Sequence, residues 1–274
     1  LQGRYHYYRL HPFSLAELLS VFPKVQPGEE LVFLDSVPDS NFKNLLQYGG
    51  FPDPFLEQSE KFLRRWHNER LDRFFKEDVR DLTQIHDLGN LTLLADLLPE
   101  KVSSILSINS LAQDLQMNFR TVANWIEVFE RFYYCFRLAP FQSRRIASVR
   151  KEKKLYLWDW SELKGVGPKV ENMLASHLLK FCHYLHDEGG WKVSLHYLRD
   201  ETGREIDFLV CYENKPWFAV ESKSEGQAIS KALFHFRDAL KIPFCYQVSL
   251  EGSKDYLKDG IRVLPLAKFL TGLV

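Results

Sequence analysis

The apolar residues in the second half of the chain change from helical spacing to alternation and back again. From Pro168 they recur at three- and four-residue intervals, which predicts a helix. Three segments with the pattern of half-buried strands follow, at 191–197, 205–210 and 217–223. Another helical segment and another strand come next. Because a period of two does not fit a helix, this half of the chain is predicted to be an α/β domain built on a sheet.

Three acidic residues lie on these predicted elements, one on the helix and one on each of the last two strands. Glu171 is near the start of the helix, Asp207 is on the second strand, and Glu221 ends the third strand with Lys223 two positions later. Residues two apart on a strand project to the same side. Mg²⁺ prefers carboxylate and phosphate oxygens together with water. The order of a helix Glu, a strand Asp and Glu-x-Lys resembles the PD-(D/E)XK nuclease superfamily. The resemblance implies a Mg²⁺ site formed by Asp207, Glu221 and the backbone carbonyl of Ser222, with Glu171 reaching it from the helix.

The same resemblance implies a catalytic set of Glu171, Asp207, Glu221 and Lys223 for phosphodiester hydrolysis. The ammonium group of Lys223 would orient or help to deprotonate the attacking water and offset the developing negative charge. The alternative is that Lys223 neutralises Glu221 in a structural ion pair and that the domain is an inert scaffold or a regulatory module. Both interpretations stay open at this stage.

Residues 107–126 carry the pattern of a helix-turn-helix. Asn109 or Ser110 is the expected N-cap of the first helix, because a short polar side chain accepts a hydrogen bond from a free backbone N–H. The apolar side chains of the second helix are expected to face inward; they are Val122, Trp125, Ile126 and Phe129. Residues 131–138 have a strand pattern, so the segment is predicted to be a winged helix.

The outward side of the second helix is the expected contact with DNA, with Arg120 and Asn124 reaching base edges. Residues 143–154 hold six basic residues and one acid. Within that run, the expected phosphate contacts are Arg144, Arg145 and Arg150. Glu127 and Glu130 share the helix with Arg120 and oppose phosphate binding. A purely structural or partner-docking role for the helix therefore remains the alternative.

The overall charge excludes one class of nucleic-acid-binding protein. Thirty-six Lys and Arg residues balance 36 Asp and Glu residues among 274, so the formal net charge is zero. A globally basic coat is therefore absent, whereas a local basic patch is not excluded.

The sequence also argues against a structural zinc site, a membrane span and an ATP site in this chain. The four cysteines form no C-x-x-C pair, which argues against a structural zinc site and fits free core thiols in a reducing cytoplasm. No apolar stretch approaches the roughly 18–20 residues of a membrane span. No G-x-x-x-x-G-K-[ST] motif occurs, so no ATP site is expected in this chain alone.

Short motifs along the chain follow the order of a known family. They are Gly3-Arg4, Gly49-Gly50-Phe51-Pro52, Tyr156 with Asp159, Tyr197-Leu198-Arg199-Asp200, Asp207-Phe208 and Glu221-Ser222-Lys223. Together they resemble the C-terminal part of a bacterial and archaeal group of AAA-type P-loop ATPases of uncharacterised role. In that group the ATPase module is followed by a helical lid, a winged helix and a PD-(D/E)XK nuclease-like domain.

The resemblance implies an α+β chain with three parts. Residues 1–80 would be the end of an ATPase module and its lid, residues 81–142 a winged helix, and residues 143–274 a restriction-endonuclease-like domain. The ATPase module with its Walker motifs would lie upstream in a longer parent protein, and Arg4 would contribute to its nucleotide site. The substrate and the oligomeric state are left open.

Overall fold

The computed structural model describes residues 6–22, 24–73, 87–142, 152–223 and 228–274. It has the α+β composition that the sequence predicts, with helices and mixed sheet. The chain divides into two units. The sheet unit comprises 1–43, 139–151 and 173–274, and the helical unit comprises 44–138 and 152–172. Arg4, Arg144, Arg145 and Arg150 lie outside the described residues.

The described helices and strands are numbered in chain order. The helices are α1 (Leu15–Leu18), α2 (Asp39–Tyr48), α3 (Pro52–Glu57), α4 (Glu60–Arg73), α5 (Leu88–Leu97), α6 (Ile108–Asp114), α7 (Phe119–Arg131), α8 (Val166–Gly189), α9 (Lys231–Leu240) and α10 (Leu266–Leu270). The strands are β1 (Cys135–Leu138), β2 (Lys154–Leu157), β3 (Val193–Arg199), β4 (Glu205–Tyr212), β5 (Lys215–Lys223), β6 (Phe244–Ser249), β7 (Tyr256–Lys258) and β8 (Ile261–Pro265).

The sheet unit is built on six strands in the order β3-β4-β5-β6-β8-β7. Strands β3, β4 and β5 are antiparallel neighbours, whereas β6 runs parallel to β5 and to β8. The parallel pair β5 and β6 is connected through α9. One face of the sheet packs on α9, where Leu233 and Phe236 share a buried cluster with Ala219. On the other face Phe181 of α8 packs against Phe218, with 6.1 Å between ring centroids.

The turn between β4 and β5 is tighter than the sequence pattern indicates. Glu213 and Asn214 have φ of 49° and 62°, as a two-residue type I′ hairpin turn requires. Tyr212 therefore pairs with Lys215, and β5 begins two residues before the predicted start at 217. Pro216 lies inside the strand beside a register shift, a position that its missing N–H tolerates.

The segment after residue 6 is bound to the second half of α8. The backbone N–H and the guanidinium group of Arg9 donate to both oxygens of Asp187, at 2.5–3.0 Å. His11 Nε2 lies 2.9 Å from His183 Nδ1. The Leu15 N–H donates to buried His177 Nε2 at 3.2 Å. Three successive polar contacts thus place this segment along α8, within the sheet unit.

The helical unit contains a buried polar cluster around Asp159. Asp159 is fully buried, and its carboxylate accepts hydrogen bonds from Trp66 Nε1 at 3.0 Å and from the N–H and Oγ of Ser161 at 3.0 and 2.5 Å. Gly49 has a φ of +80°, and a Cβ there would lie 2.7 Å from Asp159 Oδ1. The glycine therefore allows the chain to approach the carboxylate closely.

Arg70 extends this cluster to a second buried acid. Arg70 donates to Glu162 Oε1 at 2.8 Å, lies 3.6 Å from Asp159 Oδ2 and stacks over the Phe51 ring. Burial raises the pKa of Glu162 to about 7, although Arg70 acts against the shift. Arg70 is the cation that compensates two buried carboxylates.

Two details of the helical unit differ from the sequence prediction. The sequence pattern from Glu57 to Asp81 predicts one long helix, but Gln58 adopts a left-handed conformation that ends α3, and α4 begins at Glu60. The N-cap of α6 is Ser107, whose Oγ accepts from the Ser110 N–H at 3.2 Å, so the predicted caps Asn109 and Ser110 are wrong. An N-cap has to precede the first helical residue, and α6 begins at Ile108.

The four residues predicted to face inward on α7 are buried. The helix continues to Arg131, so β1 begins at Cys135 and not at 131. Strand β1 pairs antiparallel with β2, with Cys135 opposite Leu157. This two-stranded ribbon crosses the predicted boundary at 142, because β2 belongs by its contacts to the same unit as α7.

All four cysteines are free and buried, and burial raises the pKa of Cys211 and Cys245 to about 12. Among the described residues, no helix is both long and apolar enough to cross a membrane.

Replacing Arg70 by Met should destabilise the helical unit by about 3–5 kcal/mol, because two buried carboxylates lose their cation. Urea unfolding followed by circular dichroism measures the change. Arg65→Met is the control on the same helix, since its exposed i,i+4 pair with Glu69 should contribute about 0.5 kcal/mol or less. Equal effects of the two substitutions would contradict the assigned role of Arg70.

Stability of the sheet unit should fall as the pH drops from about 6.5 towards 4. Burial lowers the pKa of His183 to about 4 and that of His11 to about 3. Between these values and the usual histidine pKa, the two side chains therefore bind protons in the unfolded chain but not in the folded one. His183→Gln should flatten this dependence, whereas His186→Gln, at an exposed position on the same helix, should not. Urea unfolding midpoints of both variants are measured between pH 7 and 4.5. If the midpoint of His183→Gln falls with pH as steeply as that of the unaltered protein, His11 and His183 are not the cause of the pH dependence.

Candidate functional site

The hairpin of β4 and β5 brings Asp207 and Glu221 together. Phe208 is paired with Val220, and Asp207 and Glu221 are the next residues beyond this pair on the two strands. Against β3, strand β4 carries an extra residue, because His196 pairs with Leu209 and Leu198 pairs with Ile206. Asp207 thus lies in a β-bulge, a feature that re-aims side chains and is frequent beside active sites.

Asp207 is held by the backbone and side chain of β5. Its Oδ2 accepts hydrogen bonds from the N–H and from Oγ of Ser222, each at 2.8 Å. These two bonds fix the carboxylate across the strand pair. Ser222, predicted as a carbonyl ligand, therefore also orients Asp207 through its side chain.

Glu221 is a buried carboxylate whose hydrogen bonding is incomplete. The residue is 6% exposed, and Lys223 Nζ donates to Oε1 at 2.6 Å. Oε2 is buried and has no hydrogen-bond partner among the described residues. The pKa of Glu221 is raised to about 7, first by burial and then by the charge of Asp207, while Lys223 acts in the opposite direction.

This donor set fits a hard divalent cation. A buried carboxylate oxygen without a partner is costly, and a second carboxylate nearby increases the cost. A cation between the two carboxylates would remove both penalties. Mg²⁺ is commonly bound by one or two carboxylates, with waters and substrate phosphates completing its shell. In the part of the chain that is described, no three His, Cys, Asp or Glu side chains form a metal-binding group.

Glu171 lies on the part of α8 that belongs to the helical unit. Tyr156 Oη donates to Glu171 Oε1 at 2.8 Å, and Lys154 Nζ lies 3.4 Å from the same oxygen. Lys154 and Tyr156 are both buried on β2. The sequence analysis missed these two partners, although their spacing of two on a strand gives the signal. The catalytic and metal-binding role of Glu171 stays a prediction.

The start of α7 presents exposed polar groups. Arg120 and Asn124 are exposed and line a surface depression of about 600 Å³ with Phe119 and Thr121. The first turn of the helix carries no acidic residue. Phe119 is 51% exposed and was not singled out from the sequence.

Glu130 is one of the two acidic residues on α7 that are expected to oppose phosphate binding, and its charge is neutralised. Glu130 forms a two-point ion pair with Arg137, at 2.9 and 2.5 Å. Glu127 lies about two helical turns from the start of α7. Positive charge and exposed N–H groups at the start of the helix therefore face no acidic side chain on the same turn.

Gln247 is a further buried polar residue beside the carboxylates. It is 2% exposed and lies on β6 in register with Glu221. The sequence analysis missed it as well. A polar side chain between Tyr246 and Val248, inside a mainly apolar strand, is the signal that could have identified it.

Comparisons with known proteins give two family matches and one relative. Residues 39–164 match the family described as Domain of unknown function (DUF8612), and residues 166–269 match Domain of unknown function (DUF4143). An uncharacterised protein of Methanocaldococcus jannaschii is 26% identical over 182 residues. That alignment covers 62% of this chain and 39% of the relative. No solved structure matches the chain.

Proposed function

We propose that the sheet unit is a PD-(D/E)XK nuclease-like domain that hydrolyses phosphodiester bonds with Mg²⁺. The observation that carries this proposal is the grouping of Asp207, Glu221 and Lys223, in which Glu221 Oε2 is buried and has no hydrogen-bond partner within the described part of the chain. Structural carboxylates are normally satisfied by donors. A carboxylate with one free oxygen beside a second carboxylate is more useful as a cation ligand than as part of a scaffold.

The roles of the residues follow from their contacts. Asp207, held by Ser222, and Glu221 would bind Mg²⁺ with the Ser222 carbonyl. The bound ion would lower the pKa of a water and polarise the phosphate. Lys223, at the end of β5, would orient that water and offset negative charge on the phosphate oxygens.

We also propose that α6, α7 and the β1–β2 ribbon form a winged helix that binds duplex DNA weakly. Support comes from the exposed Arg120 and Asn124 at an acid-free helix start. An arginine side chain can contact a phosphate or a guanine, and an asparagine side chain can contact an adenine. Arg144, Arg145 and Arg150 remain the predicted phosphate contacts.

DUF4143 is a domain found in AAA-ATPase-associated proteins. On that basis, and on the motif order of the sequence, we propose that the chain acts with an ATPase module of a longer parent protein in the cytoplasm. ATP would bind to that module, with Arg4 contributing, and not to the chain described above.

The second candidate function is a catalytically inert nuclease-like module that binds DNA or regulates the ATPase. The 2.6 Å contact between Lys223 Nζ and Glu221 Oε1 favours it, because an internal ion pair stabilises the strand end without a metal. The two functions differ in divalent-ion binding and turnover, which the following experiment measures.

With Mg²⁺ or Mn²⁺, the protein should cleave at least one of plasmid DNA, single-stranded DNA and RNA. Asp207→Asn, Glu221→Gln and Lys223→Met should each slow cleavage about 100-fold or more, through loss of charge stabilisation in the transition state. Gel assays over time measure the rates, with EDTA as the metal-free reference.

Glu213→Gln and Lys215→Met are the matched controls, because they alter the same chemical groups at the other end of the β4–β5 hairpin, where both residues are exposed. Both should cleave at the unaltered rate. Absence of cleavage in the chain and in its full-length parent with ATP, together with no Mn²⁺ binding by calorimetry, would leave the inert module as the function.

Binding to a labelled DNA duplex should weaken as salt rises, since cationic side chains release counterions. Arg120→Ala should weaken binding by about 1–3 kcal/mol, and Asn124→Ala should lower discrimination between sequences. Fluorescence anisotropy at two salt concentrations measures both. Arg64→Ala is the charge-matched control at an exposed site on α4. Equal losses in Arg64→Ala and Arg120→Ala would mean that no specific helix face is used.

A further inference from the structure

A cavity of about 390 Å³ in the sheet unit is lined by the second half of α8 and by residues of the 17–26 stretch. Its lining includes three large aromatic side chains, Phe22, Tyr184 and Trp191, which are 79%, 46% and 39% exposed. The volume falls within the range of small-ligand sites. Large apolar side chains grouped at an exposed concave surface commonly mark a place where something binds.

Trp191 is held in place by the turn that ends α8. Its N–H donates to the Leu185 carbonyl at 3.2 Å, and its ring lies edge-on to the Tyr212 ring, with 5.8 Å between centroids. Gly190 has a φ of +70°, so the chain can turn back directly after the helix. A Cβ at Gly189 would lie 2.5 Å from the indole, so the glycine leaves room for the ring. Trp191 is thus a fixed aromatic wall of the cavity.

The lining also carries groups that hydrogen-bond. Tyr184 Oη can donate and accept, Trp191 Nε1 can donate, and the amide of Gln26 can do both at once. Flat apolar surface with a few polar groups is the usual composition of a site for a small planar ligand. The cavity therefore suits a ring whose faces are apolar and whose edge is polar.

The charges of the lining cancel. Lys180 forms an ion pair with Glu17 and donates to the Pro12 carbonyl at 2.9 Å. Among the described residues, the other charged members of the lining are Lys24 and Glu188, which are both exposed. Two cations and two carboxylates leave no net charge, so a phosphate group would gain little by entering. An uncharged ligand is therefore favoured.

We propose that this cavity binds a nucleobase through stacking on its aromatic side chains. Every base has a π-face for stacking, and its edge offers donors and acceptors that match the Gln26 amide and the Glu188 carboxylate. Phenylalanine, tyrosine and tryptophan side chains of a protein partner carry one polar atom at most. The base can belong to a free nucleoside or to an unpaired nucleotide of a single strand, since both present the same ring and edge.

This inference goes beyond the function proposed above and does not depend on it. Asp207, Glu221 and Lys223 are not among the residues that line the cavity. Base binding therefore requires neither the divalent cation nor cleavage.

Calorimetry in EDTA measures the binding of adenosine, cytidine, adenosine 5′-monophosphate and a single-stranded oligodeoxyadenylate. N-acetyltryptophanamide is the aromatic probe that lacks the edge of a base. Tyr184→Ala and Phe22→Ala each remove one stacking surface at an exposed position. Tyr256→Ala is the matched control, because Tyr256 is 40% exposed on β7 of the same unit and does not line the cavity. Circular dichroism checks that every variant is folded.

At least one nucleoside should bind, and Tyr184→Ala and Phe22→Ala should each weaken its binding about tenfold through loss of stacking. Tyr256→Ala should match the unaltered protein. The monophosphate should bind within about threefold of adenosine, with little dependence on salt, because the lining has no net charge. Tighter binding of the oligodeoxyadenylate would assign the site to single strands, and equal binding would assign it to free nucleosides; base recognition holds in both cases.

Four results would overturn the inference. The first is no binding of any nucleoside or of the strand, and the second is binding that Tyr184→Ala and Phe22→Ala leave unchanged. The third is N-acetyltryptophanamide binding as tightly as the best nucleoside, which would assign the cavity to an aromatic side chain of a protein partner. The fourth is a monophosphate that binds about tenfold tighter than adenosine, or more, which would indicate a phosphate site. None of them involves Mn²⁺ or turnover, so they leave the proposed nuclease function untouched.

Discussion

Strands β5 and β6 run parallel, and parallel neighbours require a crossover that returns the chain to the same end of the sheet. Helix α9 provides it, and its apolar side covers Ala219 and Cys245. With α8 on the opposite face, β5 is buried on both sides, which explains the uninterrupted apolar run Trp217–Val220. The same constraint places Glu221, Lys223 and Gln247 together at the carboxyl ends of neighbouring strands, where α/β sheets commonly bind ligands.

Two buried acids, Asp159 and Glu221, are satisfied to different degrees. Asp159 accepts from Trp66 and Ser161 and lies near Arg70, so each of its oxygens has a donor. Glu221 has a partner for one oxygen and none for the other among the described residues. Burial costs both carboxylates hydration, but donors compensate Asp159 fully.

The sequence predicts those features that depend on local periodicity. The buried face of α7, the order of strands β3 to β5 and the pairing of Glu221 with Lys223 follow from spacings of three, four and two residues, and the structure confirms them. The N-cap Ser107 lies two residues before the nearer expected cap, and β5 begins two residues before its expected start, because several neighbouring residues satisfy the same local rule. The break at Gln58 was not expected. The grouping of the three catalytic candidates was expected from motif order, whereas their metal binding and turnover stay predictions.

Contacts between distant parts of the chain were beyond such reasoning. Nothing local indicates that β1 pairs with β2 or that Arg70 meets Glu162, since both depend on how separate elements pack. Gln247 was overlooked for the same reason, because its hydrogen-bond partners Ala228 and Ser230 precede α9. Polar residues inside apolar strands are the useful signal here, since burial forces each of them to find a partner.

The contacts of Arg9, His11 and Leu15 with α8 span between 162 and 178 residues of sequence. During synthesis this segment leaves the ribosome long before α8 exists, so Leu15 and Ala16, both fully buried in the folded chain, begin exposed. The helical unit can fold before they are buried, because its two parts, 44–138 and 152–172, lie between the first and last parts of the sheet unit in the sequence. The sheet unit therefore has a high contact order, and its completion comes late in the folding of the chain.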